Sequence, residues 1–180
     1  MLTIEIPETE LYINSTEEFK TIKAQTIVLE HSLVSISKWE SKWCKPFISK
    51  DPKTSEELID YIRCMTITNN VDPDVYLALN DGHIKQINAY IESPMTATWF
   101  SDKDKKGKSK EIVTSELIYY WMTAFQIPFE CQKWHINRLM TLIRICSIKN
   151  QPPKKMNKKE ALSQQRSLNA ARRKAMNTSG

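Results

Sequence analysis

Cys131, His135 and Cys146 come nearest, by type and spacing, to a reactive constellation in this chain. Cys131 and His135 are four apart, so a helix would put both on one face, and Cys146 follows in the same apolar run. A structural zinc needs four ligands, and the spacing supplies no fourth. A Cys–His nucleophile needs a thiolate beside a base that a third group orients, whereas aliphatic neighbours keep a thiol protonated. Buried thiols with a hydrogen-bonded histidine are the stronger reading. The carboxylate pairs Glu17–Glu18 and Glu56–Glu57 read as helix-start or surface charges, and Asp72 and Asp74, on either side of Pro73, as capping groups. The sequence contains no G-x-S-x-G, no H-E-x-x-H and no glycine-rich phosphate loop. The expectation is a non-enzyme with no catalytic residue, metal or cofactor.

The elements that would position these residues are mainly helical. In 180 residues there are only three glycines, far below the usual ~7%. Tight hairpins and phosphate cradles need glycine, so a helical domain is favoured over a sandwich or barrel. Leu2, Ile4 and Ile6 alternate with polar residues until Pro7, the period of a half-buried strand. Leu11–Ile13 and the β-branched run Gln25–Leu29 add extended segments, which together predict a small antiparallel β element over residues 1–30. The helical core is expected over 31–149. A first helix from about His31 carries Leu33, Val34, Ile36, Trp39 and Trp43 on one face, with Lys38, Glu40 and Lys42 elsewhere, until Pro46. Thr54 and Glu57 form a capping box for a helix that buries Leu58, Ile62 and Met65. Asp72–Pro73 starts another, with Val75, Tyr76 and Leu79 inward. Asn80–Asp81–Gly82 breaks the chain, and Ile84, Ile87, Tyr90 and Ile91 mark a short helix before Pro94. A charged loop covers 102–110. Thr114 or Ser115 caps a central helix with little polar face, through Leu117, Ile118, Trp121, Met122, Ala124 and Phe125. After Pro128 the last core helix runs from about Glu130 to Lys149 on a stripe of Trp134, Leu139, Leu142, Ile143 and Cys146.

From 150 onward the chain is a basic arm stiffened by Pro152–Pro153. Eight lysines and arginines against Glu160 give it a net +7, which leaves −2 for the first 149 residues of a chain totalling +5. Its far part has helix-forming composition but few apolar anchors, and such a helix usually needs a partner surface. The arm holds no Phe, Tyr or Trp, so nucleic acid would be bound through phosphates rather than stacked bases. Of the five tryptophans, Trp39, Trp43, Trp99, Trp121 and Trp134, most read as core, with Trp134 and Trp43 the ones to reach an interface. The four cysteines read as thiols in apolar surroundings. No stretch approaches the length of a membrane helix, and the N-terminus lacks the pattern of a secretory signal.

IPFECQKWHINRLMTLIRIC, followed by KNQPPKKM and SLNAARRKAMNTSG, resembles a group of tailed-bacteriophage proteins encoded among the tail genes of long-tailed phages. The resemblance continues upstream through LEHSLVSISKWESKW, KTSEELIDYIRCMTI, INAYIESPMTATWF and EIVTSELIYYWM. The group looks like the tail assembly chaperones made just before the tape measure protein. The resemblance implies a non-enzymatic role in the host cytoplasm: coating the long helical tape measure and keeping it soluble while tube subunits add. Alternatives are a structural virion protein of the tail, baseplate or neck, and a nucleic-acid-binding module using the arm. Implied partners are the tape measure protein and other tail proteins, with a homo-oligomer open and no membrane. No site residues carry over by motif. The residues expected at a contact are Trp134, His135 and Arg138 on the last core helix, and Lys154, Lys155, Arg172 and Arg173 on the arm.

Overall fold

The structure is a computed structural model that describes residues 1–13, 17–49, 51–98, 100, 112–151 and 158–176. It is mostly helical, with a small antiparallel element at the N-terminus. Contacts divide the chain into two units, Met1–Ser147 and Ile148–Gly180.

Four short strands open the chain: β1 (Leu2–Ile6), β2 (Thr9–Ile13), β3 (Glu18–Ile22) and β4 (Gln25–Leu29). β1 pairs with β4 and β2 with β3, both antiparallel. The register is shared: Leu2 faces Leu29, Ile6 faces Gln25, Thr9 faces Ile22 and Ile13 faces Glu18. The four strands are thus one long hairpin whose ladder is interrupted near Pro7, which has no N–H to give. Ile4, Ile6, Ile22, Ile27 and Leu29 are buried at its base. Nearer the tip, Tyr12 and Phe19 face each other across the strands with ring centroids 5.1 Å apart, and both are exposed. Glu17 and Glu18 are exposed, the surface alternative of the two expected for them, and Glu18 opens β3, which pairs through its backbone rather than starting a helix.

Helix α1 (Leu33–Trp43) is capped by Ser32, whose hydroxyl faces the Ser35 N–H while Ser35 reaches back. Leu33, Ile36 and Trp39 are buried as expected. Glu40 is buried too, against expectation, because its carboxylate accepts the Phe47 N–H at 2.7 Å and the Ser115 N–H at 2.7 Å. Cys44 ends α1 in the left-handed region and is exposed rather than apolar-lined. Helix α2 (Ser55–Met65) has the capping box at Thr54 and Glu57. Tyr61, Ile62 and Met65 are buried, but Leu58 is 49% exposed. The chain leaving α2 lies along β4, with the Ile67 N–H bonded to the Val28 carbonyl at 2.9 Å.

Asp72 caps a 3-10 helix, Pro73–Ala78, rather than an α-helix. Val75 and Tyr76 are buried and Leu79 is half-buried. The break between helices falls at Leu79 and Asn80, while Asp81 and Gly82, expected in it, already lie in helix α3 (Asp81–Glu92), which Asn80 caps by accepting the His83 N–H at 2.9 Å. Helix α4 (Ser115–Ala124) is capped by Thr114. It is less enclosed than its composition suggested, since Ile118 and Met122 are buried while Tyr120 is 66% exposed and Ala124 is exposed. The expected helix from Glu130 is two elements, a 3-10 helix Phe129–Lys133 and helix α5 (Ile136–Lys149). Between them Trp134 is extended and His135 bridges to Ser32, which stops the helical hydrogen bonds from running through. In the second unit, helix α6 spans Lys158–Met176, with Leu162, Leu168 and Met176 exposed.

Candidate partner-binding groove

Helices α2 and α3 carry the same apolar spacing. Ser55, Leu58, Ile59 and Ile62 form a stripe on α2, and Ile84, Ile87, Asn88 and Ile91 form one on α3, each at i, i+3, i+4 and i+7. Such a stripe lies along one helix face. The two stripes face an open groove floored by Tyr76, Leu77 and Leu79, with a cavity of about 380 Å³. Leu58 and Leu77 are each 49% exposed there, while Ile62 and Ile87 close its deep side. Polar groups do not converge on it. The Tyr76 hydroxyl is bonded to Thr66 Oγ1 at 2.9 Å, and the Tyr61 hydroxyl to His31 Nδ1 at 2.5 Å. The sequence reading missed this groove because α2 has two apolar faces, and Leu58 was assigned to the buried one. The available signal was the repeated stripe on two successive capped helices.

Behind the groove, Tyr61 of α2 and Tyr90 of α3 pack on a histidine pair, His31 buried and His135 half-buried. His31 is 3% exposed. Its ring meets Tyr61 edge-on at 5.8 Å and His135 at 4.9 Å, and its carbonyl accepts the Ile136 N–H at 2.9 Å. Tyr90 of α3 packs on His135 at 5.0 Å. Burial, with His135 beside it, pushes the His31 pKa down to about 3, because a charged imidazole would lose its water there. Burial likewise holds the His135 imidazole below its ordinary value, and it raises the Tyr61 and Tyr90 hydroxyls above theirs.

The expected contact residues are partly brought together. Trp134, His135 and Arg138 adjoin at the start of α5, and the Arg138 guanidinium lies over the Trp134 ring at 4.2 Å. His135 is used internally. It stands at the N-cap position, where its Nδ1 accepts the Asn137 N–H at 3.3 Å and its Nε2–H donates to the Tyr90 carbonyl at 3.0 Å. It therefore does for α5 what Asn or Asp does for other helices. Cys131 sits in the preceding 3-10 helix, so the shared helix face proposed for Cys131 and His135 does not form. Among the described residues no group of three or more His, Cys, Asp or Glu side chains could hold a metal ion. Trp43 donates its Nε1–H to Asp60 at 2.8 Å and is stacked on Trp39, so it too is engaged within the fold. Arg172 and Arg173 are exposed on α6, while Lys154, Lys155 and Trp99 lie outside the described residues. No helix among the described residues is long and apolar enough to cross a membrane. In comparisons with known proteins, no family model, no curated protein and no solved structure matches this chain.

Proposed function

We propose that this protein is a phage tail-morphogenesis factor, an assembly chaperone that shields a helical segment of the tape measure protein in the groove between α2 and α3. The observation that carries the reading is the groove's surface: apolar, partly exposed, and walled by helices. Helix walls satisfy their own backbone groups, so they offer no edge for strand addition. An amphipathic helix suits such a surface, because it satisfies its own backbone while presenting apolar side chains. A long helical protein awaiting assembly exposes such a stripe, and covering it prevents aggregation. The resemblance of the sequence to tail assembly chaperones supports the same reading, and the role is non-enzymatic.

The test is co-expression of the full chain with fragments of the tape measure protein from the same genome, followed by co-purification. Wild type should keep a helical fragment soluble, and Leu58→Glu with Leu77→Glu should lose it while circular dichroism stays native. Equal recovery by both proteins overturns the groove as the binding surface. Mass spectrometry of purified virions separates a chaperone, absent from the particle, from a structural component, present at stoichiometric level. A second reading rests on Arg166, Arg172 and Arg173, all exposed on α6. They could contact nucleic-acid phosphates, and that affinity would fall steeply with salt.

A further inference from the structure

We infer that His135 is a proton-operated joint between helices α3 and α5. Neutral, it holds the end of one helix and the start of the other. Protonated, it keeps α3 and lets the first turn of α5 loosen.

The two hydrogen bonds of the ring admit only one of its forms. His135 Nδ1 faces the Asn137 N–H at 3.3 Å, and an N–H only donates, so Nδ1 must carry a lone pair. Nε2 faces the Tyr90 carbonyl at 3.0 Å, and a carbonyl only accepts, so Nε2 must carry the proton. That form is the neutral imidazole. An imidazolium has a hydrogen on both nitrogens. It keeps the Tyr90 carbonyl, but its Nδ1–H points at the Asn137 N–H, donor against donor.

The helix ends favour the same outcome. Tyr90 lies in the last turn of α3, whose negative end attracts a cation, whereas His135 stands just before α5, whose positive end repels one. Asn137 depends on the turn that His135 caps. Its side-chain amide donates to the Ile91 carbonyl at 3.1 Å and to the Ser93 carbonyl at 2.8 Å. Loosening that turn therefore slackens two of the three side-chain bonds that tie α5 to the end of α3.

The charges around the ring oppose its protonation while the joint is closed. Glu30, at the end of β4, favours the charged form. Lys133 of the 3-10 helix, Arg138 of α5 and the amine of Met1 disfavour it. Tyr90 of α3 is a neutral hydroxyl, His31 is neutral in mild acid, and Ser32 meets His135 through its backbone. Burial lowers the His135 pKa, the Tyr90 carbonyl offsets part of this, and the Met1 amine adds to the lowering. The opened joint takes up a proton near the ordinary value of 6.5. The closed form therefore prevails above that pH and gives way as pH falls below it.

The experiment uses the full chain, with imidazole nitrogen shifts and amide hydrogen exchange followed by NMR from about pH 8 to about pH 5, the range in which histidine changes charge. At the upper end His135 should show the Nε2–H form. As its ring titrates, protection of the Asn137 amide, corrected for the intrinsic exchange rate, should fall about tenfold, the factor that a helix cap of ordinary strength supplies. A local opening exposes little surface, so this loss should be insensitive to low urea, unlike exchange of the β4 amides through global unfolding. His135→Asn supplies an acceptor that does not titrate and should hold the Asn137 protection constant over the same range. The wild-type shifts and exchange test the joint without that variant should it fail to fold. A ring in the Nδ1–H form, or Asn137 protection unchanged while the ring titrates, overturns the inference. So does a loss with the urea dependence of global unfolding, or one that persists in a natively folded His135→Asn.

Discussion

Mild acid should destabilise this fold through His31 before its carboxylates titrate. The unfolded chain protonates this imidazole near its ordinary pKa of 6.5, whereas the folded chain holds it neutral down to about 3. Between those values the unfolded state binds more protons, so stability is present in full above pH 6.5 and declines as pH falls. Each pH unit in that window removes about 1.4 kcal/mol. From pH 7 to pH 5 the loss is about 2 kcal/mol, a large part of the ~5–15 kcal/mol typical of a domain. The groups facing His31 do not relieve this. Tyr61 and Tyr90 are neutral hydroxyls whose burial raises their pKa values, and burial lowers the His135 pKa as well. Glu30, Lys133 and Arg138 line the small pocket beside His135 with mixed charge. Urea unfolding at a series of pH values from 7.5 to 5 measures the slope, and His31→Asn isolates it, because Asn places a hydrogen-bonding atom near the position of Nδ1. The variant should start less stable yet lose less stability per pH unit, with the remaining slope due to His135. A wild-type slope near zero between pH 6.5 and 5, or an unchanged slope in His31→Asn, refutes the reasoning.

Three further outcomes follow from single contacts. Glu40→Leu leaves the Phe47 and Ser115 N–H groups without their acceptor in a buried setting. It should destabilise by about 2–4 kcal/mol in urea unfolding, whereas Glu40→Gln should recover part of the loss. Thr54→Ala removes the acceptor for the Glu57 N–H at the start of α2 and should lower stability by about 1 kcal/mol. His135→Asn should retain more stability than His135→Ala, because Asn restores an N-cap acceptor for α5; equal losses by thermal melting would show that capping is not what His135 contributes.

The second of these contacts was legible from sequence because it is local. Thr54 and Glu57 are three residues apart, and a capping box needs nothing beyond its own turn. The same holds for Thr114 at the start of α4 and for the alternation of Leu2, Ile4 and Ile6 in β1. The sequence sets Glu40 off the apolar face of α1, and its burial is not legible there because its partners lie 7 and 75 residues away. His135 was placed on a helix face because nothing within its own window announces the bridge to Ser32 that stops the helix short of it.

What the sequence by itself determined, then, is the set of segments: where most helices begin, which residues alternate in the hairpin's base, and that the charge gathers after residue 150. Only the tertiary structure decided which face of α2 is covered, that His31 and His135 meet, and that Leu58, Leu77 and Ile84 line an open groove. The physical reason is range. Caps and strand alternation are satisfied by neighbours within a few residues, and their free energy is nearly independent of the rest of the chain. Burial depends on what arrives from elsewhere. A helix with apolar residues on two faces has no internal preference between them, and packing against α1 and the hairpin left the second face of α2 uncovered.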